Sequence, residues 1–150
     1  MTLYDYLLKI YEDYGFQRET TINVVRPGKT GAEEIAQMMV NYRANAPKEI
    51  AGEKVVKIKD FKLLKQCELK DGQWVESPIE MPLNATSNVL QYFTEGGLKV
   101  SVRPSGTEPK IKFYFEIPVK SGKPFTGADY ERCTAEAEAR VPAIKASLGI

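Results

Sequence analysis

The chain has 150 residues, 43% hydrophobic and 27% charged, proportions that exclude collagen, coiled coil and wholesale disorder. A chain of this length buries roughly 70% of the surface its unfolded form exposes, so a core can hold it without disulfides or metal. With 21 Lys and Arg against 20 Asp and Glu, the formal charge of +1 is too small to drive sequence-blind attraction to nucleic-acid backbones or anionic membranes, and any anion site must be local. Histidine is absent. That removes Ser-His and Cys-His nucleophile pairs, His-ligated zinc and the one side chain that ordinarily titrates near neutrality. Cys67 and Cys133 are isolated, with no C-x-x-C spacing, which excludes a four-thiolate zinc site and a thioredoxin-type couple. No run reaches the length of a membrane span or signal core, and a cytosolic location with both thiols reduced is expected.

From Thr2 to Tyr14, Leu3, Tyr4, Leu7, Leu8, Tyr11 and Tyr14 fall at helical spacing and Gly15 closes the run, predicting an amphipathic helix. Thr20 to Val25 reads as a strand ending at Pro27-Gly28. Thr30-Gly-Ala-Glu33 then reads as a capping box that opens a helix with Ile35, Met38, Met39 and Tyr42 as its buried stripe, ended at Pro47. Val55 to Lys59 is a short strand, and 62–87 reads as loops around a hairpin at Asp71-Gly72. Asn88–Thr94, Leu98–Arg103 and Lys110–Val119 form an antiparallel meander, its first turn at Glu95-Gly96-Gly97. Period-two alternation puts Leu98, Val100, Val102, Ile111, Phe113, Phe115 and Ile117 on a core face. Lys99, Ser101, Lys110, Lys112 and Tyr114 fall on a wet, basic one. A last helix, from about Gly127 to Leu148, buries Cys133, Ala137, Val141 and Ile144 and is expected to kink at Pro142. The expected fold is α+β in two layers: an antiparallel sheet of about four to five strands with two helices on one face, preceded by one N-terminal helix without a partner.

The stretch that carries chemistry is Arg103-Pro104-Ser105-Gly106-Thr107-Glu108-Pro109-Lys110, a long connection between two well-defined strands. Arg103 offers a planar fork for two phosphate oxygens, Ser105 and Thr107 offer hydroxyls, and Gly106 lets main-chain amides approach an anion closely. Pro104 and Pro109 restrict the loop ends, which lowers the entropy lost on binding. From spacing alone, an ordinary turn with a solvated arginine accounts for the same residues equally well.

This segment, with the following Ile111-Lys-Phe-Tyr114, resembles the C-terminal-domain signature of the α-D-phosphohexomutases, the phosphoglucomutase and phosphomannomutase family. Ser87-Asn88-Val89-Leu90, the Glu95-Gly96 turn and Gly31-Ala32-Glu33 followed by Lys54-Val55-Val56 resemble that family too, so the likeness spans nearly the whole chain. It implies that residues 20–150 form the family's phosphate-binding fourth domain, with a TATA-binding-protein-like fold, and that residues 1–19 are the last helix of an upstream third domain. It further implies that Arg103, Ser105, Gly106 and Thr107 grip the substrate phosphate that is not being transferred, with Glu108 and Lys110 completing the motif. The family's enzymes are isomerases of carbohydrate metabolism, intramolecular phosphotransferases that interconvert hexose 1-phosphate and 6-phosphate through a phosphoserine and a bisphosphate intermediate.

Three of the family's site components are missing from this sequence: the Thr-x-Ser-His-Asn-Pro segment with the phosphoserine, the Asp-x-Asp-x-Asp-Arg magnesium loop and the Gly-Glu-x-Ser-Gly sugar loop. No catalytic or metal-ligating residue is therefore assigned, and the chain alone is expected to be inactive. Magnesium is expected only in the full-length family enzyme. The expected partners are a hexose phosphate and the remaining mutase domains, with neither nucleic acid nor membrane. Two alternatives are a single-strand nucleic-acid-binding module, built on the aromatic strand Lys110–Phe115, and a ligand-free interaction domain. Period two opposes the first, because Phe113 and Phe115 share the core face.

Overall fold

A computed structural model describes all 150 residues, the side chain of Asn84 aside. Helix α1 (Leu3–Tyr14) leads into β1 (Phe16–Val25), α2 (Gly31–Ala44), β2 (Glu49–Ile50), β3 (Glu53–Asp60), β4 (Lys65–Lys70), β5 (Gln73–Pro78), β6 (Leu90–Thr94), β7 (Lys99–Pro104), β8 (Lys110–Val119) and α3 (Gly127–Leu148). The strands form one open antiparallel sheet in the order β1-β8-β7-β6-β3-β4-β5, with β2 pairing β3 off that path. Helices α2 and α3 cover the same face: α2 lies over β7 and β8, and α3 over β1, β2 and β8. The α+β two-layer architecture with one extra N-terminal helix is therefore as expected.

The meander alternates as its sequence dictates. Leu98, Val100, Val102, Ile111, Phe113, Phe115 and Ile117 are all 0% exposed beneath the helices, where Ile35, Met39, Cys133, Ala137 and Ile144 meet them. The buried phenylalanines remove the base-stacking platform of the nucleic-acid alternative. Phe93 does face the open side, but the ammonium groups of Lys57, Lys59 and Lys99 stand 5.5–5.8 Å from its ring centre.

The sheet is wider than the predicted four to five strands. Asp71 and Gly72 both take positive φ (51° and 78°), the two-residue turn whose twist matches a hairpin, and β4 and β5 zip together from Lys70 opposite Gln73. Neither strand has an apolar alternation, because β5 is an edge that lies beyond the helices, so hydrophobic pattern did not reveal them. Strand β1 also begins four residues early: Phe16 is buried, and the predicted boundary at residue 19 falls inside the strand.

Helix α1 is not without a partner, contrary to expectation. The Tyr11 ring lies 4.9, 5.5 and 6.0 Å from those of Phe16, Phe125 and Tyr130, and Glu12 Oε2 accepts the Phe125 amide at 2.9 Å. Its other side, with Leu3, Tyr6 and Tyr14, is bare. Helix α3 runs unbroken through Pro142.

Buried polar groups are satisfied locally. Arg43 Nε donates to Asp60 at 2.7 Å and its Nη2 to Asn88 at 2.9 Å, while Asp60 also accepts the Lys62 and Leu63 amides, tying the end of α2 to the β3 and β6 termini. The Tyr92 hydroxyl donates to the Tyr42 carbonyl, and burial raises its pKa far above the ordinary phenol range. No helix is long and apolar enough to cross a membrane.

Candidate functional site

Strands β7 and β8 pair Arg103 with Lys112 and Pro104 with Ile111, leaving 105–109 as a five-residue tip. The Ser105 amide donates to the Lys110 carbonyl at 2.9 Å and closes that tip. Inside it, the amides of Thr107 and Glu108 both aim at Ser105 Oγ, at 3.4 and 3.3 Å. Such long bonds are weak, so the two amides converge on a point that the hydroxyl holds loosely. Gly106 has no positive φ, and a Cβ built on it would meet nothing within 4 Å. Nothing in the fold itself demands glycine there.

The tip is seated by its neighbours. The Arg26 amide donates to the Pro109 carbonyl at 2.9 Å, continuing the β1–β8 ladder into the loop. Gly31, at the start of α2, packs so closely that a Cβ would lie 1.7 Å from the Arg26 carbonyl oxygen and 3.2 Å from Pro109 Cβ, so only glycine brings the helix start against the tip. Gly28, Ala32 and residues 105–109 together line an open depression of about 360 Å³.

The predicted capping box at Thr30 does not form. Thr30 adopts φ −91° and ψ −4°, makes no cap bond, and donates instead to Glu34 Oε1 at 3.3 Å. The extended geometry that an N-cap side chain needs is absent, because the Pro27-Gly28 approach delivers a turn there. The first amides of α2 thus carry no side-chain acceptor, and the positive end of the helix borders the depression.

Of the predicted site residues, Ser105, Gly106, Thr107 and Glu108 come together in the tip. Arg103 stands beside it on the open face of the sheet, exposed, with no hydrogen-bond or ion-pair partner among the described residues. Glu108 and Lys110 are occupied with each other, Nζ to Oε2 at 3.1 Å. Sequence reasoning missed Gly28 and Ala32, which only the packing of α2 brings in. It also treated Lys112 as part of a diffuse basic face, although the strand register sets it directly opposite Arg103. That pairing was within reach: closing the loop at Ser105 and Lys110 fixes it.

A larger cavity of about 840 Å³ lies at the other end of the sheet, lined in part by Gln17, Glu53, Gly96, Lys120 and Arg140. Its central charges are paired with each other, Arg140 Nη2 to Glu53 Oε1 at 3.1 Å. Among the described residues no group of three or more Cys, Asp or Glu side chains could hold a metal ion. The magnesium that the family resemblance implies for longer enzymes has no fitting residues in this chain.

Residues 22–122, which include the whole of the tip and both its strands, match the family model described as phosphoglucomutase/phosphomannomutase, C-terminal domain. This chain belongs to that family. Curated phosphoglucomutases are similar: that of Staphylococcus haemolyticus is 36% identical over 118 residues, covering 79% of this chain and 20% of that protein. One from Staphylococcus aureus is 37% identical over 116 residues, covering 77% and 20%. The chain spans about a fifth of the length of these relatives. Among solved structures, parafusin, a phosphoglucomutase from Paramecium in its open form, aligns over 99% of this chain and 24% of its own, with 12% identity and a TM-score of 0.48.

Proposed function

We propose that the 103–112 hairpin holds a phosphate group of a hexose phosphate, as the C-terminal part of an enzyme that interconverts hexose 1-phosphate and 6-phosphate. The observation that carries this reading is the unpaired Arg103 guanidinium, set opposite Lys112 beside two converging amides and a glycine that the fold does not require. A guanidinium binds two phosphate oxygens through parallel N–H donors, Lys112 adds a second positive charge, and Ser105 Oγ yields its place to a third oxygen. Recognition by charge and main-chain amides makes few demands on the sugar's direction, which suits a ligand held in both orientations during one cycle.

The phosphoryl relay and its metal belong to other segments of such an enzyme, and the bare side of α1 is where the preceding segment packs. The chain alone is therefore inactive. In a coupled assay, pure chain is expected to give no interconversion of glucose 1-phosphate and 6-phosphate, and measurable turnover would refute that assignment.

Binding itself is testable on this chain. Charge-assisted bonds less the ordering costs leave about millimolar affinity for an isolated hairpin. Amide shifts of residues 103–112 on titration with inorganic phosphate or glucose 6-phosphate are the readout. Affinity rises as pH passes through about 6, where a monoester gains its second charge, and no histidine is present to obscure the profile. Arg103→Ala abolishes the shifts. A flat pH profile, or binding that survives Arg103→Ala, sinks the proposal.

A further inference from the structure

The same tip contains an anion, Glu108, which carries the same sign as the ligand. Its amide is one of the two aimed at Ser105 Oγ, at 3.3 Å, so the residue is part of the cradle and not merely near it. Its carboxylate reaches Lys110 Nζ at 3.1 Å, and that ammonium is largely shielded, its side chain only 24% exposed. Lys110 lies on the same sheet face as Lys112, one step nearer the tip. A shielded ammonium beside the cradle would strengthen phosphate binding, and the carboxylate cancels it.

We propose that Glu108 is a positioning residue that sets how firmly the cradle keeps a phosphate: it ties up Lys110 and adds negative charge, so that the ligand leaves readily. This deepens the phosphate reading and rests on it. A hairpin that must release a bisphosphate and take it back turned round gains nothing from tight retention, since equal binding of every state lowers no barrier. Removing one like charge a few ångströms from a dianion in a solvent-exposed site changes affinity on the order of three- to tenfold.

The test measures inorganic phosphate binding to the 150-residue chain by amide shifts, at low and at physiological salt, with thermal melts as the check on folding. Glu108→Gln keeps the side-chain shape and is expected to tighten binding about three- to tenfold, more at low salt, without moving the melt. Glu108→Asp retains the charge and stays near wild type. Lys110→Met weakens binding, because the carboxylate is then uncancelled, and Glu108→Gln combined with Lys110→Met returns affinity to about the wild-type value. If Glu108→Gln binds phosphate no more tightly while Arg103→Ala still abolishes binding, the inference is wrong and the cradle stands. If neither wild type nor Glu108→Gln shifts on titration, the cradle reading itself fails and takes this one with it.

Discussion

The two turns of the β6-β7-β8 meander lie at opposite ends of the same strands and treat their charged residues in opposite ways. At the 95–97 turn every strong donor and acceptor is used internally. Thr94 Oγ1 donates to Glu53 Oε2 at 2.7 Å and accepts the Leu98 amide, and Arg140 Nη2 holds the other Glu53 oxygen at 3.1 Å while its Nη1 donates to the Pro118 carbonyl. Glycine is compulsory here, because a Cβ on Gly96 would lie 2.1 Å from Glu53 Oε1. At the 105–109 tip the arginine has no partner among the described residues, the amide bonds are long, and the glycine meets nothing. A polar network closed upon itself is architecture. One whose donors converge without an acceptor is prepared for something else, since unmet donors are tolerated only where solvent or ligand can reach them.

The largest effect expected from breaking this contrast is at the closed end. Glu53→Ala strands the buried Thr94 hydroxyl and the Arg140 guanidinium and should cost about 1–3 kcal/mol in chemical denaturation, with phosphate binding unchanged. Arg103→Ala should do the reverse, altering stability by less than about 0.5 kcal/mol and removing the phosphate response. Should Arg103→Ala unfold the chain, its placement at an open strand end is wrong. The paired glycine variants are a finer probe. Gly96→Ala pushes into a carboxylate pinned by two partners and should lose about 1–2 kcal/mol, whereas Gly106→Ala should leave the melt where it is and weaken phosphate binding severalfold. Equal effects of the two on stability would erase the distinction between the turns.

The smallest effect concerns helix starts. Asp5 and Asp129 each accept the backbone amide and then the hydroxyl of the N-cap threonine, Thr2 and Thr126, and these bonds hold both carboxyls below the ordinary range. A carboxyl with a lowered folded pKa lends stability that is complete above the unfolded value and disappears as pH falls through the folded one. Fraying of α1 and α3 on acidification below the usual carboxylate range, followed by amide exchange, should precede any change at α2, which has no such box. Simultaneous fraying of all three starts would contradict the missing cap at Thr30.

Where apolar residues alternate, as from Leu98 to Ile117, period two read directly off the chain placed every core side chain on the correct face. The β4-β5 hairpin carried no such pattern because it is an edge outside the helical layer, and only its Asp71-Gly72 turn was legible. At Thr30 a correct local motif failed because the Pro27-Gly28 turn sets the backbone before the helix begins. Arg103, Ser105, Gly106 and Thr107 were legible as a phosphate-binding set because hydroxyls, a guanidinium and a glycine between two prolines are a chemical inventory, which does not depend on distance.

By itself the sequence determined the two-layer α+β class, the core face of the meander and the family to which the chain belongs, since periodicity and motif are local properties of a polymer. The tertiary structure alone decided that α1 docks on Phe125 and Tyr130, that Gly28 and Ala32 wall the tip, and that Glu108 spends its charge on Lys110. Those outcomes depend on which distant segments share a surface, and contacts between residues far apart in the chain are set by packing, not by neighbours in sequence.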